Sequence, residues 1–280
     1  MTTHPPIRRP IMRYPGGKWI LARRIIPHFP EHRVYVEPYA GAASVLLQKP
    51  RAYAEIVNDL DGEIVNVFRV LQNREAAAEL ERMVRVTPFS RAEFLLAYER
   101  NDDTVERARR ALIRSFMGHG SDSVHRRSGY RSKSFRSGLP PAGDWRNYPN
   151  HIARFCERIQ GVNVENRPAL DLIRHVDGAG VLFYVDPPYV LSTRQGGLYT
   201  YEMTDADHSE LLASLLRVKG MVVISGYDHE IYRDTLQGWR AVRMDTYADG
   251  ARKREEILWF SPNISPRREG LFSWNASERS

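Results

Sequence analysis

The sequence predicts an α/β protein, a doubly wound parallel sheet interrupted by a helical, basic insertion. Three observations predict it. Two strand–loop units in the first seventy residues each end at an acid, Glu37 and Asp59. The run Val181–Val185 is apolar at every position, as a strand buried on both faces of a parallel sheet must be. Between these two regions, residues 72–160 lose strand signals and gather arginine.

The elements follow in order. Val34-Tyr35-Val36 reads as a strand ending at Glu37-Pro38. The stretch Ala40-Gly41-Ala42-Ala43-Ser44 is small and permissive, and Val45-Leu46-Leu47 reads as the helix after it. Ala54–Val57 is a second strand, ending at Asn58-Asp59, and a helix follows from Gly62 to Leu71. In the insertion, Glu75–Val86, Arg91–Arg100 and Val105–Phe116 carry helical patterns punctuated by Pro88. A loop rich in Gly, Ser and Arg runs from Met117 through Arg136. After Val181–Val185 come an amphipathic helix, Asp207–Val218, and a buried strand, Met221–Ile224. Arg240–Tyr247 and Glu255–Phe260 read as an antiparallel pair around Asp249-Gly250. The resulting division assigns 10–71 and 161–262 to a catalytic domain and 72–160 to the insertion. Residues 1–9 and 263–280 read as flexible tails.

Composition narrows the class. Of 280 residues, 42% are hydrophobic and 27% charged, which excludes disorder across the whole chain. No apolar run approaches the length of a membrane span, so no membrane partner is expected. The opening residues lack the apolar core of a secretory signal. A single cysteine, Cys156, excludes an intrachain disulfide and fits a reducing, cytoplasmic setting. The net charge of +7, dominated by arginine, favours a polyanionic partner. Absence of a Cys pair argues against a metal site.

Three constellations carry chemistry. In Tyr35-Val36-Glu37-Pro38-Tyr39-Ala40-Gly41, a strand enters a small-residue loop that lets backbone approach a ligand. Asp59 lies 18 residues after Gly41, a spacing at which an acid bonds ribose hydroxyls. The third glycine of a dinucleotide fingerprint is missing, which favours a nucleoside without phosphates, such as S-adenosylmethionine, over a pyrophosphate. A structural turn explains the same residues equally simply. Asp186-Pro187-Pro188-Tyr189 is the sharpest signal. Its prolines remove amide donors and leave carbonyls beside a carboxylate, an acceptor set suited to an amino group. Tyr189 supplies an aromatic face for a base. In Tyr14-Pro15-Gly16-Gly17-Lys18, a phosphate loop fails, because Met12 replaces the first glycine and Trp19 follows the lysine. An aromatic, a flexible turn and a cation suited to a carboxylate remain.

In these residues the chain resembles the DNA adenine methylase, or D12, family of N6-adenine methyltransferases. The matching pieces are Tyr14–Lys18, Glu37–Gly41, Asn58-Asp59, Asp186–Tyr189, Ser225-Gly-Tyr227 and Arg254–Trp259, in the family's order from Arg13 to Pro262. The resemblance implies a Rossmann-like S-adenosylmethionine-dependent sheet with a helical DNA-recognition insertion. It implies S-adenosylmethionine contacts from Tyr14, Gly17, Lys18, Glu37, Pro38, Ala40, Gly41, Asp59 and Asp186. Lys18 would take the methionine carboxylate and Asp59 the ribose. Asn166 falls where the family often has an acid for the cofactor's adenine, a departure that leaves this contact open. Asp186 and the Pro187 carbonyl, with Pro188 in the same turn, would hold the target amine while Tyr189 stacks on the base.

The resemblance also places the basic insertion in target recognition. Between Arg107 and Arg136 there are nine Lys or Arg and one acid, Asp122. His119, Ser121, His125, Arg126, Arg127, Tyr130 and Arg131 are suited to phosphate contact or base reading, although a solvated surface is the simpler account of any one of them. The implied partner is double-stranded DNA; a cognate restriction endonuclease stays open. Other amine substrates, such as RNA adenine, cytosine N4 or a glutamine side chain, also remain, as does an idle DNA-binding protein of this fold. A nicotinamide oxidoreductase is disfavoured by the incomplete glycine pattern.

Overall fold

The computed structural model describes residues 7–132, 140–194, 199–247 and 253–264. Lys133–Arg136 of the basic loop, the Asp249-Gly250 turn and most of both expected tails lie outside the described residues.

Seven strands form one sheet: β1 (Val34–Glu37), β2 (Ala54–Asn58), β3 (Val162–Glu165), β4 (Val181–Val185), β5 (Met221–Gly226), β6 (Arg240–Tyr247) and β7 (Lys253–Phe260). Their order is β3-β2-β1-β4-β5-β7-β6. The first five run parallel; β7 is antiparallel to both β5 and β6. The chain leaves β1 for β2 on one side and reaches β4 on the other. Ligands of open α/β sheets bind outside the carboxyl ends of strands at such a reversal. Glu37, Asn58-Asp59 and Asp186 all stand at those ends.

Ten helices accompany the sheet: α1 (Ala22–Ile25), α2 (Gly62–Gln72), α3 (Arg74–Val86), α4 (Arg91–Leu96), α5 (Thr104–Met117), α6 (Pro141–Asn147), α7 (Ile152–Ile159), α8 (Ala169–Val176), α9 (Asp205–Leu215) and α10 (Glu230–Thr235). Several begin at side chains that accept an orphan amide. Asp61 caps α2, Asn73 caps α3, Ser90 caps α4 and Asp103 caps α5. Thr204 and Asp207 cap α9 reciprocally.

Strand alternation splits the core in two. Tyr35, Val57, Leu182 and Tyr184 face a cluster with Phe68, Leu80, Leu112 and Phe155. Val36, Phe183, Val185 and Ile224 face the opposite cluster with Leu172 and Leu211. The helices of 72–160 therefore share one continuous core with a face of the sheet.

Three local expectations are corrected. Val45–Leu47 forms turns, not a helix. Gly41 and Ala43 have φ of +48° and +49°, which breaks the entry, and the Leu46 amide donates to the Glu37 carboxylate. The helix expected over Arg91–Arg100 stops at Leu96, and Tyr98 and Glu99 close tighter turns onto Leu95 and Leu96. Strand β3 was not assigned from the sequence: Val162-Asn163-Val164-Glu165 alternates apolar and polar side chains over only four residues, and it takes its place at the sheet edge by pairing with β2.

Candidate active site

A cleft opens at the carboxyl ends of β1, β2 and β4, lined on its floor by Glu37, Pro38, Ala40, Gly41, Asp59 and Asp186. Gly41 lets its wall form. A Cβ at this position would sit 2.8 Å from two carbons of the Tyr14 ring, and the φ of +48° already disfavours a side chain. Asp59 holds the loop with both oxygens: Oδ2 accepts from the Gly41 amide at 2.8 Å and Oδ1 from the Asp61 amide at 2.9 Å. Burial raises its carboxyl to about 6, against the pull of those two amides.

Glu37 ends β1 almost fully buried. One oxygen accepts from the Tyr35 hydroxyl at 2.8 Å and from the Leu46 amide at 2.7 Å. Burial pushes this carboxyl up to about 7, and the nearby Asp186 charge adds to the rise.

Asp186 has two unequal oxygens. Oδ1 faces Lys18 Nζ at 2.9 Å, and accepts from the Ser225 hydroxyl at 2.8 Å and the Tyr189 hydroxyl at 3.1 Å. Among the described residues, none donates to Oδ2. The carboxylate is thus fixed on one side and open on the other.

Lys18, which lines the cleft, and Tyr189 both reach Asp186. The Lys18 ammonium is buried and bonds the Gly16 carbonyl at 2.8 Å, Asp186, and more distantly Glu256 at 3.6 Å. Burial opposes its charge, but Asp186 and Glu256 outweigh burial and hold it above the ordinary lysine value. It is therefore committed to carboxylates of the protein itself. Tyr189 is buried and stands outside the cleft lining. Its hydroxyl donates to Asp186 and makes a short bond to Glu256. Lys18 Nζ lies 4.8 Å from its ring centroid, and the Tyr227 ring packs edge-on at 4.6 Å. Its hydroxyl thereby bears on Asp186 from outside the cleft lining.

The other expected contacts divide. Gly17 lines the cleft, as does Pro188; Pro187 is buried and does not. Asn166 is exposed and also outside the lining: its amide donates to the Asp59 and Leu60 carbonyls and braces the loop after β2.

Sequence reasoning missed three groups. Residues 199–203 cover the cleft, with Tyr199, Tyr201 and Met203 among its walls. Their aromatic cluster shortly after Asp186–Tyr189 was the available signal. Asp61 also lines the cleft; its position before Gly62-Glu63 marked it as a helix cap. Glu256, from β7, is 2% exposed. It lay inside the matched piece Arg254–Trp259, after Glu255 and before the apolar run Ile257–Phe260, with no role attached.

The basic segment serves two purposes. On α5, Arg107 pairs with Glu63, Arg109 with Glu93 and Glu106, and Arg110 with Glu106. Arg114 donates to the Val124 and Ala97 carbonyls. Arg109, Arg110 and Arg114 bind the insertion together, and Arg107 ties it to Glu63 of α2. The loop after α5 closes through a bridge between Gly118 and Tyr130 and the Arg131 amide on the Met117 carbonyl. Tyr130 packs on Phe89 and Phe94, and its hydroxyl donates to the Phe89 carbonyl. His125 turns inward, with Nδ1 3.1 Å from Asp61 and 2.9 Å from the Thr200 hydroxyl, and its ring edge-on to Tyr14. Tyr130 and His125 are therefore occupied within the protein. His119, Arg126 and Arg127 are exposed, while Ser121 and Arg131 are half-buried. Neither the Arg126 nor the Arg127 side chain has a hydrogen-bond or ion-pair partner among the described residues.

Among the described residues, no cluster of His, Cys, Asp and Glu is placed to hold a metal ion, and no helix is long and apolar enough to cross a membrane.

A parallel sheet with a reversed β7 between β5 and β6, and a cleft at its switch point, is a Rossmann-like α/β fold. Within it, the chain belongs to the D12 class of N6 adenine-specific DNA methyltransferases, whose family model matches residues 14–246. The DNA adenine methylase of Serratia marcescens is 26% identical over 242 residues, covering 82% of this chain and 87% of the relative. That of Vibrio cholerae (El Tor Inaba N16961) is 26% identical over 281 residues, covering 92% and 98%. Among solved structures, the rRNA methyltransferase aviRa of Streptomyces viridochromogenes matches with a TM-score of 0.37 and 14% identity, covering 93% of this chain and 87% of that one.

Proposed function

We propose that this enzyme binds S-adenosylmethionine in the cleft and methylates N6 of an adenine turned out of duplex DNA. The observation that carries the reading is Asp186, whose Oδ1 lies within reach of Lys18, Ser225 and Tyr189 and whose Oδ2 has no donor among the described residues. A carboxylate held in this way is an oriented acceptor for an amine. An adenine amine is a poor nucleophile because its lone pair is delocalised into the ring. Accepting its N–H bonds localises that pair, and Pro187 and Pro188 leave carbonyls without competing amides in the same turn.

The cleft fits the cofactor's chemistry. Tyr14 and Tyr39 give it aromatic walls, Gly41 a backbone cradle that a Cβ would fill, and Glu37 and Asp59 carboxylates suited to hydroxyl or amino groups. S-adenosylmethionine supplies an electrophilic methyl group when bound. The chain's residues position the amine and exclude water from it. An amine stacked in a duplex cannot reach Asp186, so the reading requires the base to be flipped. Residues 10–71 and 161–262 perform catalysis in this reading, in the cytoplasm. The 72–160 insertion recognises DNA, with Arg126 and Arg127 as its free cations.

The test is transfer of labelled methyl from S-adenosylmethionine to unmethylated genomic DNA, followed by nucleoside mass spectrometry. N6-methyladenine recurring at one short duplex sequence is the expected result. Label in RNA or on cytosine N4, with none on DNA adenine, overturns the reading.

A further inference from the structure

Glu256 belongs to none of the segments that form the cleft floor, yet it touches two of the three side chains that reach Asp186. It projects from β7, which the reversed pairing brings alongside the end of β5, one strand beyond β4. Its Oε1 lies 3.6 Å from Lys18 Nζ and accepts from the Tyr189 hydroxyl. Lys18 and Tyr189 in turn both reach Asp186 Oδ1. We propose that Glu256 is a positioning residue that sets the acceptor strength of Asp186 by competing with it for the Tyr189 hydrogen and the Lys18 charge.

A phenol has one hydrogen, and Asp186 and Glu256 both lie within its reach. With Glu256 ionised, that hydrogen goes to Glu256, and Asp186 keeps electron density for the incoming amine. With Glu256 protonated, its own O–H donates to the phenol oxygen, and Tyr189 turns its hydrogen onto Asp186. Asp186 is then a weaker acceptor. No group is consumed: the proton on Glu256 comes from solvent and returns there.

The charged and titratable groups facing Glu256 include Lys18, Asp186 and Tyr189, and Tyr184 from β4. Burial raises its carboxyl above the ordinary glutamate value, while Lys18 opposes the rise. Ionisation of Glu256 therefore falls closer to neutrality, and activity is expected to climb as pH rises through it. Glu37 and Asp59 are raised as well, so the variant, not the profile alone, assigns the limb.

This inference rests on the proposed methyl transfer, and the experiment separates the two. Steady-state kinetics on unmethylated genomic DNA are measured across pH for the wild type, Glu256→Gln, Tyr189→Phe and the double variant. A thermal melt and calorimetric binding of S-adenosylmethionine control for folding. The glutamine keeps the shape but holds the position in the donating, uncharged form. Glu256→Gln is expected to lower kcat about tenfold or more at pH 8, leave both KM values within about twofold, and flatten part of the acid limb. In the Tyr189→Phe background, which has no hydrogen to redirect, most of that loss should disappear. A kcat within twofold of wild type, a loss confined to KM, or an equal loss in both backgrounds overturns the proposal. A wild type that transfers no methyl overturns this proposal together with the reading on which it rests.

Discussion

Asp186 and Glu37 are both cleft acids, but the surrounding atoms give them different tasks. Asp186 is held through Oδ1 by Lys18, Ser225 and Tyr189. Replacing it with alanine removes the amine acceptor and leaves the Lys18 ammonium facing only Glu256 and a carbonyl. Asp186→Ala is expected to lower kcat by roughly 10²-fold or more while DNA affinity, read by filter binding, stays within a few-fold. Near-normal turnover would refute the assignment. Glu37 is governed by burial. Its folded carboxyl titrates near 7 and its unfolded one near 4.5. The folded state therefore binds this proton more tightly between those values. Its stabilising contribution is full below 4.5, is lost as pH rises towards 7, and is absent above, a change of roughly 3 kcal/mol. Glu37→Gln stays neutral and keeps an oxygen for Tyr35 and Leu46. Its melting temperature should gain on wild type between pH 5 and pH 8, while calorimetry shows weaker S-adenosylmethionine binding. A constant gap in melting temperature across that range would contradict the burial argument. The residue types at Lys18, Glu37, Asp59 and Asp186 were legible because each sits in a short local pattern. The partners of Lys18 were not, because a lysine beside two glycines says nothing about a carboxylate more than two hundred residues away.

Between β1 and β2 the chain makes a loop whose shape depends on one missing side chain. Gly41 has a left-handed φ, and the Tyr14 ring occupies the space of its Cβ. Gly41→Ala combines about 1 kcal/mol of left-handed strain with a clash that shifts Tyr14. The expected outcome is a melting temperature lower by several degrees and cofactor affinity reduced at least tenfold by calorimetry. Affinity equal to wild type would mean that Tyr14 and the loop do not form the binding wall. The same loop shows the reach of local patterns. Ala40–Ser44 announced a permissive backbone, and Gly41 packs against the Tyr14 ring. Val45–Leu47 announced a helix, but the pull of Glu37 on the Leu46 amide is a tertiary contact with no trace in the local spacing. Strand β3 was not assigned for a related reason: four alternating residues acquire strand geometry only from the neighbour β2. The β6–β7 hairpin was legible from alternation, but its insertion order in the sheet, which delivers Glu256, was not.

Across the whole molecule, the excess of positive charge is divided between holding the fold and meeting a polyanion. A count of nine cations from Arg107 to Arg136 suggested one binding surface. Arg107, Arg109 and Arg110 are instead paired with Glu63, Glu93 and Glu106. Such pairs carry no net charge outward and leave no counterion to release on DNA. Arg126 and Arg127 are exposed on the loop that the Gly118–Tyr130 bridge holds together. Each phosphate contact contributes about 0.9 to the slope of log K against log salt. Arg126→Ala with Arg127→Ala should therefore reduce that slope by about 2 while the melting temperature stays close to wild type. Arg110→Ala should do the reverse, lowering the melting temperature, because Glu106 and the Glu99 carbonyl lose a donor, and leaving the slope unchanged. Fluorescence-anisotropy titrations of a duplex at four or five salt concentrations distinguish the two variants. A slope unchanged in the double variant, or lowered in Arg110→Ala, would move the DNA-facing surface away from the loop and onto α5.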